Sequence, residues 1–547
     1  MDSSEKKLPL NKIRREQEEK RAEQRAVEEN YPYVNLTTTT IDREAIVLLN
    51  EKTAKEAKVA VIQKVGKRLE LVAYSTLLEI TKNLLQELTN QGYIIDIFIA
   101  SASSMEKAWQ IYKIYTPPQE SLKGTFRIEE EVFREIEQSF KNLDSLKEKI
   151  STLPTSEILH LVIAGAYFSR ASDIHLEPTE TFAKLRYRID GVLHDIVEFK
   201  KHDYEHMLSR VKILSGLKIN IHDTNQDGRF TIHLPQQTGN DTKVDVRVSI
   251  LPGSFGETIV MRLLGIGITK LSIEQLGLRP EMFSQVKEIL LRPNGLILTT
   301  GPTGSGKTTT LYSFLNYVKN TEIKIITVED PIEYQLDGIT QSQVNPEEGY
   351  SFATALRAIV RQDPDVILVG EIRDRETADT AIQASLTGHL VLSTLHTNDA
   401  PGAIPRLRDL GADEKSVTTA LNLVIAQRLV RMLCPHCKEM YDPTEEEKIK
   451  LETELNQIKN RSIFPVLTKI YRAKGCEKCL GLGYWERSGI FEVFTIDPEL
   501  ERLILSRATH TDILALLKQQ GFITMKQDGY LKVVEGTTSI EEVDRVT

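Results

Sequence analysis

The chain has 547 residues, 40% hydrophobic and 27% charged, an ordinary globular profile and too long for one core, so three or four domains are expected. The formal net charge of −9 argues against a protein that coats nucleic acid and leaves room only for a local basic channel. No apolar run reaches the ~20 residues of a membrane-spanning helix, and MDSSEKKLPLNKIRREQ has no apolar signal core. The expected location is the cytoplasm, with membrane contact only through a partner.

In chain order, residues 1–30 hold eight basic and eight acidic side chains and almost nothing to bury. They read as a charged, disordered tail, with a lone charged helix ordered on a partner as the alternative. Residues 31–115 carry the pattern of a small α/β domain. VAVIQKV and IIDIFIA read as strands, and Ser75–Gly92 reads as an amphipathic helix. The turn-rich TPPQESLKG opens a charged linker spanning 116–153. A second domain, 154–268, begins with the apolar helix SEILHLVIAGAYFSR. SDIHLEP, AKLRYRIDGVLHDI, RFTIHLP, KVDVRVSIL and TIVMRLL follow, and their period-two alternation predicts an antiparallel sheet. Over 269–547, LILTT, KIITVED, VILVGE and HLVLSTL alternate with helical stretches, which predicts a parallel sheet flanked by helices.

Gly301, Pro302, Thr303, Gly304, Ser305, Gly306, Lys307 and Thr308 match G-x-x-x-x-G-K-[ST] at every fixed position, and Thr309 follows in the helix. Backbone N–H groups must converge on a β-phosphate there, and side chains would block the approach. Glycines remove the block and permit positive φ. The helix opening near Lys307 aims its positive end at the same anion. Lys307 neutralises β/γ oxygens, and the Thr308 hydroxyl is placed to ligate Mg²⁺. The loop therefore predicts ATP and Mg²⁺.

Hydrolysis needs further carboxylates. Val366–Glu371 is an apolar strand ending in an acid, where α/β sheets place their ligands. Glu371 can reach the Mg²⁺ shell through water. Glu329, Asp330 and Glu333 cluster at the end of another strand, where Pro331 fixes the turn. One of them can orient the attacking water, and spacing alone does not choose. TGHLVLSTLHTND brackets a strand with two histidines. His396 stands at the C-terminal end and suits a γ-phosphate contact, whereas geometry makes His389, at the other end, a structural residue.

Cys434, Cys437, Cys476 and Cys479 form two C-x-x-C knuckles, a donor set for tetrahedral Zn²⁺. The 38 residues between them, Lys438–Gly475, include a charged stretch that predicts a helical arm.

From about Thr155 onward the sequence resembles the ATPases of type II secretion and type IV pilus assembly. Four motifs in order carry the likeness: the phosphate loop, ITVEDPIEY, LVGEIRD and TGHLVLSTLHTND. The resemblance implies a RecA-like P-loop motor domain over 269–547, with a zinc-binding insert at 430–490 and C-terminal helices, preceded by a PAS-like α+β domain and a small N-terminal α/β domain. It puts the general base on Glu333 and the magnesium-shell acid on Glu371, and brings both histidines, His389 included, near the nucleotide or a subunit interface. ASDIHLEP, YRIDGVL, QDGRF and VDVRVSILPGSFGETIVMRLL match the PAS-like domain, and the likeness gives Arg229, Arg247 and Arg262 a reach to the γ-phosphate. The tetracysteine insert resembles that of extension and secretion motors. The implied assembly is a homohexamer driving an inner-membrane platform protein in pilus assembly, with type II secretion as the alternative. A DNA-translocating ring is the rival from another class, and the acidic charge and the insert count against it.

Overall fold

The computed structural model describes residues 8–547 apart from 37–38, 40, 47, 50, 66, 91, 115–123, 141, 151–154, 236–241, 266–270 and 460–468. The chain divides into two units, 1–122 and 123–547. Residues 1–7 and most of the turn-rich stretch from 116 lie outside the described residues.

The first unit holds a three-stranded sheet in the order β1 (Val59–Val65), β2 (Arg68–Ala73), β3 (Ile94–Ile99). β2 is antiparallel to β1 and parallel to β3. The middle strand, RLELVA, follows β1 after only Gly66 and Lys67 in the sequence. Of the two readings of the N-terminal stretch, the helical alternative and not the disordered tail holds for Leu8–Glu28. Ala22 and Ala26 are buried, and the Glu19 carboxylate accepts from the hydroxyls of Tyr33 (2.6 Å), Ser101 (2.6 Å) and Ser104 (2.9 Å). Arg25 stacks 3.8 Å above the Tyr74 ring. Small residues and directed polar contacts dock this helix without an apolar stripe, so hydrophobic periodicity does not reveal it.

The second unit contains two seven-stranded sheets. The first runs β4 (Thr125–Arg127), β5 (Ala171–Pro178), β6 (Phe182–Ile189), β7 (Val192–Lys200), β8 (Gln226–Leu234), β9 (Thr242–Gly253) and β10 (Gly256–Leu264) in sequence, and is ordered β4-β8-β9-β10-β5-β6-β7 in space. It is antiparallel except where β4 joins β8. Val244, Val246, Val248, Ile259, Met261 and Leu263 bury one face against helix Thr155–Phe168 and its neighbours. Part of the stretch expected as a linker belongs to this domain. β4 extends the sheet, and helices Glu130–Ser139 and Leu143–Ile150 bury Phe133, Ile136, Leu146 and Ile150 in its core.

The last sheet uses β11 (Gly295–Thr300), β12 (Ile325–Glu329), β13 (Thr340–Gln343), β14 (Val366–Val369), β15 (Leu390–Leu395) and β16 (Leu421–Leu433). A hairpin of β17 (Glu439–Tyr441) and β18 (Ile470–Arg472) stands apart, and β19 (Tyr484–Thr495) closes the sheet. The order is β13-β12-β14-β15-β11-β16-β19, parallel except for β16–β19. β11, β12, β14 and β15 are buried along their whole length, which is why their sequences are dominated by β-branched and aliphatic residues and do not alternate with charged ones. Because they are parallel, the loops after all four open at one edge, and the catalytic motifs of the sequence are those loops.

Candidate nucleotide-binding site

The phosphate loop leaves β11 and enters helix Lys307–Val318. Gly301, Gly304 and Gly306 have φ of 147°, 80° and 88°, values that side chains rarely tolerate. A Cβ at Gly301 would stand 2.6 Å from the Gln427 carbonyl, and one at Gly306 would stand 2.9 Å from Gln427 Nε2, whereas Gly304 faces open space. Gln427 Nε2 donates to the Ser305 carbonyl at 2.6 Å and so braces the loop from β16. Lys307 Nζ folds back onto the carbonyls of Gly301 (2.8 Å) and Pro302 (3.1 Å). Burial pushes its ammonium down to about 8; Arg428 acts in the same direction and Glu371 against it. The buried hydroxyl of Ser305 has no hydrogen-bond partner among the described residues. An orphaned donor, a desolvated lysine and a helix N-terminus fit a bound phosphate. Thr308 and Thr309 lie in the first turn of the same helix.

The acids after β12 separate by environment. Glu329 is buried and accepts from the Tyr312 hydroxyl, from Thr327 Oγ1 at 2.5 Å and from Gln341 Nε2 at 3.2 Å. Three donors engage it, so it props the strand end rather than facing a water. A cis bond joins Asp330 to Pro331. Beyond the turn Glu333 is part-exposed, and Arg247 of β9 approaches its carboxylate to 3.7 Å while donating to the Ile332 carbonyl at 2.6 Å.

Glu371 follows β14, and its side chain is 12% exposed. Arg373 pairs with it at 2.5 Å and His396 Nε2 lies 3.4 Å away. The Arg373 guanidinium is held above its ordinary value by that carboxylate. The turn itself is pinned, since Thr394 Oγ1 donates to the Gly370 carbonyl and Gly370 N–H donates to the Val328 carbonyl, both at 2.8 Å. The structure thus brings Lys307, Glu371, Arg373 and His396 to one edge. It does not bring His389 there. His389 precedes β15, its carbonyl accepts from Gly295 at the start of β11, and its Nδ1 lies 2.9 Å from the Ala384 carbonyl. About 20 Å of strand separates it from His396.

The three sequence-predicted arginines form a row. Arg229 of β8 stands opposite Arg247 of β9, which stands opposite Arg262 of β10. All lie on the face turned away from their own domain's core, with Arg229 exposed, and the middle one touches the turn carrying Glu333.

The four cysteine sulfurs lie within 4.8 Å of one another. Cys434–Cys476 is 3.9 Å, and Cys437–Cys479 and Cys476–Cys479 are each 3.7 Å. With Zn–S near 2.3 Å, a tetrahedral site has sulfur–sulfur edges of about 3.8 Å, so the set fits zinc. Backbone N–H groups of Cys476 (3.1 Å) and Gly483 (3.2 Å) point at Cys479 Sγ, as a thiolate requires. The intervening stretch holds helix Glu445–Leu455, part of the predicted arm.

Two residues at the loop are not singled out by the motifs. Gln427 braces the loop, and Arg428, whose guanidinium is pushed below its usual value by burial, donates to the Asn398 carbonyl at 3.1 Å with its other terminal nitrogen unpartnered among the described residues. A polar pair inside the apolar run VIAQRLV was the available signal.

A Walker-type loop after β11, an acid after β14 with β15 between the two strands, and a parallel RecA-like sheet define a P-loop nucleotide-binding protein. The chain belongs to the type II/IV secretion system protein family, whose profile matches residues 148–545. It is 41% identical over 453 residues to the type II secretion system ATPase E of Vibrio cholerae, covering 82% of this chain and 87% of that one. It is 36% identical over 513 residues to the type IV pilus assembly ATPase PilB of Myxococcus xanthus, covering 94% and 88%. Its fold is similar to that of the ATPase DotB of Legionella pneumophila, with TM-score 0.51 and 22% identity over 72% of this chain and 96% of that one. Among the described residues no helix is long and apolar enough to cross a membrane.

Proposed function

We propose that this chain is a hexameric ATPase motor of the cytoplasm, working at the inner face of the membrane through a platform protein. ATP binds at 301–308. Lys307 leaves the loop carbonyls for the β/γ-phosphates, Glu333 orients the attacking water, and Arg229, Arg247 and Arg262 approach the γ-phosphate as charge develops. His396 supports Glu371 and senses the γ-phosphate; His389 takes part only through a neighbouring subunit. Thr308, and Glu371 through water, would hold Mg²⁺, which neutralises phosphate charge when bound. The four cysteines hold structural Zn²⁺. No direct contact with nucleic acid is part of this reading.

The observation that carries it is the contact of Arg247 with the Ile332–Glu333 turn. A residue of one domain grips the candidate base of another, so a change in phosphate state can move one sheet against the other. Pilus assembly and type II secretion stand equal as the process served: the secretion relative is the more identical, and the pilus relative covers more of the chain. Magnesium-dependent phosphate release by the purified protein tests the motor. Its absence even in the assembled ring with a platform partner would sink it. Loss of surface pili or loss of secreted proteins in a deletion strain separates the two processes.

A further inference from the structure

The arginine row does not stop at Arg262. In register, Arg262 of β10 stands opposite Asp173 of β5, and Asp173 stands opposite Arg188 of β6. Asp173 is 3% exposed. Its Oδ1 accepts from Arg262 Nε at 2.8 Å, while Oδ2 accepts from Ser172 Oγ at 2.8 Å and lies 3.5 Å from Arg188 Nε. Arg188 is itself anchored, donating from Nη1 to the Gly191 carbonyl at 3.1 Å.

The placement depends on an irregularity in the sheet. Pairing of β5 with β6 shifts by one residue between Ala171 and Asp173, so Ser172 is extra. Without that bulge Ser172 would oppose Arg188, and the acid would turn to the other face. Like charges directly opposite one another destabilise a sheet, yet three arginines stand in line, and the buried acid adjoins the third. Gripping a guanidinium through Nε leaves its two Nη tips free for another oxyanion. The two motifs ASDIHLEP and YRIDGVL, which contribute nothing to the phosphate loop, supply this acid and its anchor.

We propose that Asp173 is a positioning residue, steadied by Arg188 and Ser172, that holds Arg262 by Nε and aims its outer nitrogens at the transferring phosphate. This rests on the reading of Arg262 as a γ-phosphate contact. Both carboxylate oxygens of Asp173 are engaged by Arg262, Ser172 and Arg188, so its effect should appear in turnover and pass only through Arg262.

The experiment is a double-mutant cycle on the full-length chain, with phosphate release and fluorescent-nucleotide binding both measured. Asp173→Asn should lower kcat about tenfold or more with nucleotide affinity unchanged, and should cost nothing further in an Arg262→Ala background. Arg188→Gln should give a smaller loss that also vanishes there, and it serves if Asp173→Asn does not fold. A wild-type kcat in Asp173→Asn, or losses that multiply with Arg262→Ala for either variant, overturns the proposal. Full activity in Arg262→Ala itself would instead remove the role given to Arg262, and the proposal with it.

Discussion

Arg247 meets the turn that carries Glu333: the arginine donates to the Ile332 carbonyl at 2.6 Å and approaches the Glu333 carboxylate to 3.7 Å. Two sheets thus meet at the residue assigned to orient water. Glu333→Gln should reduce phosphate release by about a hundredfold or more, with nucleotide affinity nearly unchanged. Arg247→Ala should also lose turnover. Comparable turnover in both variants and wild type would remove Glu333 and Arg247 from the mechanism.

Glu371 is nearly enclosed by Arg373 and His396. Glu371→Gln should still bind nucleotide but lose magnesium-dependent hydrolysis, and the magnesium concentration for half-maximal rate should rise. An unchanged magnesium dependence with normal rate would assign the magnesium shell elsewhere.

Lys307 sets a pH dependence. Burial lowers its ammonium to about 8 from the ordinary lysine value of 10.5. The cost of the buried charge is fully present below pH 8 and is relieved as pH rises from there towards 10.5. Without nucleotide, the stability of wild type relative to Lys307→Met should therefore increase over that window. Nucleotide affinity should fall over the same window, because a neutral amine does not offset phosphate charge. Thermal midpoints and nucleotide titrations between pH 7 and 9.5 read both trends, and flat curves would contradict the assigned protonation.

The sulfur tetrahedron predicts about one zinc per chain. Chelation, or Cys434→Ser with Cys476→Ser, should expose residues 434–483 to rapid hydrogen exchange while nucleotide binding persists. Metal analysis finding no zinc, or exchange unaltered by chelation, would leave the cysteines without this role.

A buried charge cluster ties the start of the motor domain to its last helices. Asp528 is fully buried and accepts from Arg279 Nε at 2.6 Å, Lys532 Nζ at 2.9 Å and the Phe491 N–H at 2.9 Å. Asp528→Ala leaves buried Lys532 without a carboxylate and Arg279 with Glu535 alone, and should cost about 3–5 kcal/mol in chemical denaturation. A loss below about 1 kcal/mol would show that the cluster is not holding these helices.

Local constraints made much of the site legible in the residues alone. A phosphate loop needs its glycines, lysine and hydroxyl within eight positions of one strand–helix turn, and buried parallel strands announce themselves as apolar runs, so Gly301–Thr308, Glu371 and the four cysteines were visible by spacing. The docking of helix Leu8–Glu28 was not, because it rests on alanines and on Glu19 meeting hydroxyls from distant positions. Nor did spacing separate Glu329 from Glu333: what divides them is that Tyr312, Thr327 and Gln341 engage the first, while Arg247 reaches the second. Gln427 and Arg428 reach the loop from β16, and Asp173 reaches Arg262 from β5. Such meetings are decided by strand order and by a single-residue shift in register, quantities that belong to hydrogen bonding between strands far apart in the chain and leave no periodic trace within either one.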